Sequence, residues 1–149
     1  MQVKCYNFNM EQKKLKILIK SVEGILYLLI IEFVLGMVTN LFATKPPDPK
    51  YFSEPLFIKV SSILHMLFGT LFPVFSIVLL LLVFKSKNNR YKKWAAGGFF
   101  AILFTTLTGF LTVLFKEEAS ETASLLMALG FIFSVIIFGK FYLILKQQQ

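Results

Sequence analysis

Four long apolar stretches constrain the fold of this chain more than any other feature of its sequence. They cover residues 22–44, 56–84, 95–115 and 122–145. Each has at least about the 20 residues that a helix needs to cross a bilayer core about 30 Å thick. Because 56% of the 149 residues are hydrophobic, too few polar residues remain to cover the core of a soluble domain. The sequence therefore predicts an all-α membrane protein: one transmembrane domain, folded as an antiparallel four-helix bundle.

The number of positively charged residues alternates between high and low along the successive connecting segments. Lysine and arginine occur five times in residues 1–20, twice in the proline-rich link 45–55 and five times in 85–93. They occur once in 116–121 and twice near the end of the fourth stretch. Because positively charged loops stay in the cytoplasm, both termini and the second loop are predicted to be cytoplasmic. Residues 1–20 form a basic cytoplasmic segment, in which 1–9 are expected to be unstructured if translation starts at Met10.

The inventory of reactive side chains disfavours an enzyme. The chain has one histidine, one cysteine (Cys5) and one arginine (Arg90), too few for the common zinc sites with three or four ligands. Sequence motifs of hydrolases, metalloproteases and phosphate-binding loops do not occur. The charges that give the net charge of +8 lie in short runs between the apolar stretches, as in a membrane protein. Nucleic acid is therefore not expected as a partner. No cofactor is predicted.

Glu32 lies within the first apolar stretch and is followed at steps of four by Gly36 and Asn40. This spacing places all three on one helix face, which is expected to point into the bundle because a carboxylate facing lipid is costly. Two interpretations of Glu32 stay open. A buried carboxyl group can exchange protons near neutral pH in a proton- or cation-coupled site; alternatively, it fixes helix packing through hydrogen bonds. Asn40 is interpreted as a hydrogen-bonding contact between helices.

The second stretch repeats this spacing with His65, Gly69 and Pro73. Pro73 is expected to kink the helix and free one carbonyl group. His65 either bonds to a neighbouring helix or, as the alternative, ligates haem with a second ligand from elsewhere.

The third stretch is free of charge and carries small residues at steps of three or four. These residues, which include Thr105 and Thr108, predict a close helix contact with threonine hydroxyls bonding across the interface.

Depth along the first two helices predicts that Glu32 and His65 meet. Counting at 1.5 Å per residue puts Glu32 roughly 16 Å inward from the outer end of its helix and His65 roughly 13 Å from the start of the next. Gly36 and Gly69 would let the two backbones approach closely. We therefore predict a hydrogen-bonded pair, without assigning its charge.

Motifs in chain order resemble a family of small uncharacterised bacterial four-span membrane proteins. They are GMVTNLF at 36–42, the proline-rich link, HMLFG at 65–69 and SLLMALGF at 124–131. The resemblance implies the four-span fold and a bacterial cytoplasmic membrane, and it implies no activity. The family pattern has glutamine where Glu32 stands, and His-Pro-Gly where this chain has Pro-Asp-Pro at 47–49. Because an amide does not titrate, the first difference weakens the proton-coupling interpretation.

The function expected from the sequence is a non-enzymatic membrane component that binds a partner or a small ligand. A second copy of the chain or another membrane protein is the candidate partner within the lipid bilayer. One alternative is a small transporter or proton-coupled carrier that uses Glu32, similar to the small multidrug-resistance exporters in its four spans and first-span glutamate. A third interpretation is a haem- or quinone-linked redox subunit that uses His65.

Overall fold

Four helices make up the part of the chain that the computed structural model describes. The described backbone covers residues 2–42, 55–86, 88–114 and 117–148; side chains are described from Gln12 onward, except at 42, 112, 113 and 117–121. The helices are α1 (Gln2–Phe42), α2 (Leu56–Phe84), α3 (Asn89–Leu114) and α4 (Glu117–Lys146). No strand occurs within these ranges, which confirms the all-helical prediction. Apart from Pro55, the predicted proline-rich link lies outside the described residues.

The first helix begins much earlier than the sequence analysis predicts. Residues 2–9, expected to be unstructured, belong to α1. The helix also enters the bundle before residue 22, because Leu18 and Ile19 are buried in the core. Glycine and proline are absent from α1 before Gly24, so no residue that strongly disfavours a helix interrupts its first six turns. By contrast, α2 has the predicted bounds.

Each helix contains a segment that is long and apolar enough to cross a bilayer. These segments are Gln12–Leu41, Leu56–Phe84, Asn89–Leu111 and Thr122–Lys146. The bundle also presents apolar side chains outward: Phe57, Leu81, Phe100 and Phe133 are all more than half exposed. A continuous apolar outer surface is unfavourable in water and suits a lipid environment.

The helices pack as a ring in chain order. Helix α1 contacts α2 and α4, and α3 contacts α2 and α4; among the described residues the diagonal pairs make no close backbone approach. The most deeply buried part of the core lies at one end, where Val22 of α1, Val83 of α2 and Phe138 and Leu145 of α4 are fully buried members of one apolar cluster. We call this end, which carries residues 12–20, the basic end. The core thins out beyond Leu29, one turn before Glu32.

The predicted small-residue face of α3 packs against α4. A Cβ atom at Gly98 would stand 2.5 Å from the Phe138 ring, and one at Gly130 would stand 2.5 Å from Oγ1 of Thr105. Thr108 is buried. These close approaches agree with the predicted contact.

The prediction that threonines of this face bond across the interface is wrong for Thr105 and Thr108. Thr105 donates to the Ala101 carbonyl of its own helix at 2.8 Å, and Thr108 donates to the carbonyls of Phe104 and Thr105. The reason is geometric, because the carbonyl groups one turn back lie within reach of a threonine hydroxyl on any helix.

Candidate functional site

The structure brings Glu32 of α1 and His65 of α2 into contact. Nδ1 of His65 lies 2.8 Å from Oε1 of Glu32, and the two side chains are 24% and 11% exposed. Both residues lie about nine positions, or roughly 14 Å, from the neighbouring ends of their spanning segments. Their predicted proximity is therefore confirmed, and the equal depth of the two positions explains it.

Two glycines make room for this pair in a reciprocal way. Gly36 follows Glu32 by one turn, and a Cβ atom there would stand 3.0 Å from Cε1 of the His65 ring. Gly69 follows His65 by one turn, and a Cβ atom there would stand 3.4 Å from Oε1 of Glu32. Each polar side chain thus lies over a glycine of the opposite helix. The repeated spacing of four in the two stretches is the sequence signal for this arrangement.

The pair leaves hydrogen-bonding capacity unused. Oε2 of Glu32 is buried without a hydrogen-bond partner among the described residues. Nδ1 of His65 is close to Oε1, but it makes no aligned hydrogen bond there; the structure therefore shows the predicted proximity of the pair without the predicted hydrogen bond. A buried carboxylate oxygen without a partner is costly. Chemically, this oxygen can accept a hydrogen bond from a cationic or hydrogen-bond-donating group, or it can take up a proton.

Asn40 does not belong to this site, and its predicted burial is wrong, because the residue is exposed. A step of four residues advances a helix by about 40° beyond a full turn, so two steps rotate Asn40 by about 80° relative to Glu32. Thr39 is seven residues after Glu32, a spacing that restores nearly the same direction. Its Oγ1 atom is buried without a hydrogen-bond partner in the described part of the chain. Thr39 is absent from the residues that the spacing of four predicts, although the seven-residue spacing indicates it.

Pro73 connects the site to α3. A residue in a helix normally donates its N–H to the carbonyl four positions earlier, so the missing N–H of Pro73 frees the carbonyl of Gly69. The hydroxyl of Thr106 on α3 donates to that carbonyl at 3.3 Å. The freed carbonyl was predicted; its partner was not, because no spacing within α3 distinguishes Thr106 from its neighbours. Gly69 therefore contacts Glu32 on one side and accepts a hydrogen bond from α3 on the other.

The described residues include no group of three or more histidine, cysteine, aspartate and glutamate side chains that could hold a metal ion. The imidazole of His65 lies against α1: Cε1, Nδ1 and Nε2 are all within 3.6 Å of the position of a Cβ atom at Gly36. This placement is that of a side chain packed between two helices.

Comparison of the chain with protein-family models, curated proteins and solved structures returns no match. The resemblance to a bacterial four-span family therefore stays a prediction based on the quoted motifs.

Proposed function

We propose that this chain is a multi-pass protein of a bacterial cytoplasmic membrane, with four antiparallel spans and both termini in the cytoplasm. The order of contacts supports the antiparallel arrangement: Glu32 pairs with Gly69 and Gly36 with His65, so contacts ascend along α1 as they descend along α2. The alternating positive charge of the connecting segments supports the orientation.

Reporter fusions test this topology directly. Fusions after Asn89 and at the C-terminus are expected to report a cytoplasmic location, whereas a fusion after Asp48 is expected to report an external one. A cytoplasmic signal from the Asp48 fusion would overturn the orientation, because the proline-rich link would then lie on the same side as the basic loop.

We propose that the protein acts without catalysing a reaction, as a membrane component that binds a small ligand or a partner helix. The observation that supports this role is the unpartnered Oε2 atom of Glu32 beside His65, at mid-depth between two spans. Ionisable residues inside membranes are rare and commonly serve function. The acceptor oxygen favours a ligand or a partner side chain that is cationic or donates a hydrogen bond, with Glu32 binding it and His65 holding the carboxylate in place.

Mass spectrometry of the protein extracted from its native membrane tests binding. A stoichiometric small molecule or second protein is expected with the wild type and is expected to be lost in Glu32→Gln. The matched control is Gly139→Ala, since a Cβ atom at Gly139 meets no atom within 4 Å, and it should retain the bound species. Identical spectra for wild type and Glu32→Gln would contradict a binding role for Glu32.

A proton-coupled carrier is the second candidate, and it too depends on the buried carboxylate–imidazole pair. Protein reconstituted in vesicles with a pH-sensitive dye inside separates the two candidates. A carrier would move protons under an imposed voltage in the wild type and lose this flux in Glu32→Gln. A binding component would give the same low flux in both proteins.

The haem-linked interpretation is tested by a visible absorption spectrum of the protein purified from its native membrane. We expect no haem absorption, because the His65 ring packs between Gly36 and Glu32. A Soret band that disappears in His65→Leu would establish the redox interpretation instead.

A further inference from the structure

A stripe of lysines lies on α1 at the basic end of the bundle. Lys13, Lys16 and Lys20 are spaced by three and four residues, which places them on one face. Together with Ile17 and Ser21, which also lie on α1, they line a shallow recess that is wide open at the surface of this helix. The stripe lies just before the long apolar part of α1, a position from which lysine side chains can reach lipid headgroups.

An apolar groove continues from this recess along the bundle. Lys20 and Ser21 line both, so the two are continuous. The groove has a volume of about 220 Å³ and runs between α1 and α2, past Leu28 on one side and Phe75 and Val78 on the other. Gly24 opens its wall, since a Cβ atom there would meet no atom within 4 Å. From Ser21 to Leu28 the groove extends roughly 10 Å along the helix.

The local charge favours an anion. Glu23 pairs with Lys20 at 3.2 Å, but the Lys20 side chain is 81% exposed, so water screens this pair. The other acidic side chain among those described is Glu32, which lies twelve residues beyond Lys20, roughly 18 Å along α1. Lys13 and Lys16 therefore have no described carboxylate close to them.

We propose that this recess and groove form a binding site for an anionic phospholipid. The phosphate lies among Lys13, Lys16 and Lys20, and one acyl chain follows the groove past Gly24. A free phosphate ion would use the lysines alone and would have no use for an apolar groove at membrane depth. A zwitterionic lipid would fill the groove but would lose the attraction of the lysines, since its own positive group opposes them.

A lipid titration tests the site. The delipidated full-length protein in mild detergent is titrated with dioleoyl phosphatidylglycerol or with dioleoyl phosphatidylcholine, and native mass spectrometry counts the bound lipid. The headgroup variant is Lys13→Gln/Lys16→Gln/Lys20→Gln. Its control is Arg90→Gln/Lys92→Gln/Lys93→Gln, which removes the same charge from the start of α3. The groove variant is Gly24→Leu, with Gly139→Leu as its control, because both glycines have open space at the Cβ position.

The wild type is expected to bind phosphatidylglycerol in preference to phosphatidylcholine. A lysine near an anionic lipid surface contributes roughly fivefold in binding, so the headgroup variant should lose at least about tenfold in phosphatidylglycerol affinity. Gly24→Leu should lower the affinity for both lipids, because the leucine side chain fills the groove. Each control should stay close to the wild type.

Any of three results would overturn the proposal. If the control variant at the start of α3 loses as much affinity as the headgroup variant, the lipid responds to total charge and not to this site. If inorganic phosphate displaces the lipid, or if Gly24→Leu binds phosphatidylglycerol as tightly as Gly139→Leu, the lysines bind a phosphate group without using the groove.

Discussion

The hydrogen bond between Thr106 and Gly69 should matter only because Pro73 is present. Thr106→Val keeps the shape of the side chain and removes its hydroxyl, which leaves the Gly69 carbonyl without a donor. Pro73→Ala restores an N–H group at position 73, and that group can donate to the same carbonyl within α2. In the Pro73→Ala background the threonine hydroxyl therefore becomes dispensable.

The size of this effect follows from the geometry. Hydrogen bonds between membrane helices contribute about 0.6 kcal/mol on average and up to about 1.7 kcal/mol. The Thr106 contact is long, at 3.3 Å, and Thr106 is half-buried. We expect Thr106→Val to lower the free energy of unfolding by about 0.5–1 kcal/mol in the wild type. In Pro73→Ala the same substitution should have an effect close to zero.

The assay is reversible unfolding in detergent micelles, measured for the wild type, the two single variants and the double variant. Thr70→Val serves as the matched control, because the Thr70 hydroxyl is exposed and bonds to the Leu67 carbonyl of its own helix at 2.8 Å. It should cost little in either background. Additive effects of Thr106→Val and Pro73→Ala within about 0.3 kcal/mol would show that the proline and the threonine are independent, and the account of the freed carbonyl would then be wrong.

Two further predictions concern the interface between α3 and α4, and both are checked by the same unfolding measurement. Gly98→Ala should destabilise the protein, because overpacking against the fully buried Phe138 ring costs about 1–3 kcal/mol, more than the gain of up to about 1 kcal/mol in helix propensity. Gly139→Ala, with open space at its Cβ position, should be neutral or stabilising. Thr105→Leu should cost about 1–3 kcal/mol by overpacking, and Phe104→Leu should cost less, since Phe104 is exposed. Greater damage from Phe104→Leu would show that the packed face of α3 is assigned incorrectly.

The four helices of this fold can be predicted from the sequence, because a long apolar stretch in a membrane has few alternatives to forming a helix. The contact between Glu32 and His65 can also be predicted from the sequence, since two helices joined by a short link place positions of equal depth side by side. Register along a helix axis is therefore readable from residue counts. Gly36 and Gly69 follow from the same argument, because close approach of two helices requires small residues.

Rotation about the helix axis was harder to predict. Asn40 shares a spacing of four with Glu32, but the accumulated rotation turns it outward, and Thr39 occupies the inward direction instead. The hydroxyl of Thr106 donates to a carbonyl of α2, whereas those of Thr105 and Thr108 donate within α3. This difference depends on the packing of α2 against α3. For residues 2–9 the reason is different: their expected lack of structure rests on a start of translation at Met10, and most of them have low helix propensity, so the sequence there does not predict a helix.

The central claim is that Glu32 and His65 form one interacting unit at mid-depth between α1 and α2, and a double-mutant cycle tests it most directly. Glu32→Leu and His65→Leu are measured singly and together by the free energy of unfolding in detergent. Each single variant leaves a buried polar group without its partner, which costs about 1–3 kcal/mol. The double variant replaces both groups by apolar ones, so it should be less destabilised than the sum of the single variants by at least about 0.5 kcal/mol. Strictly additive effects would contradict the claim, because two residues that do not interact show no coupling.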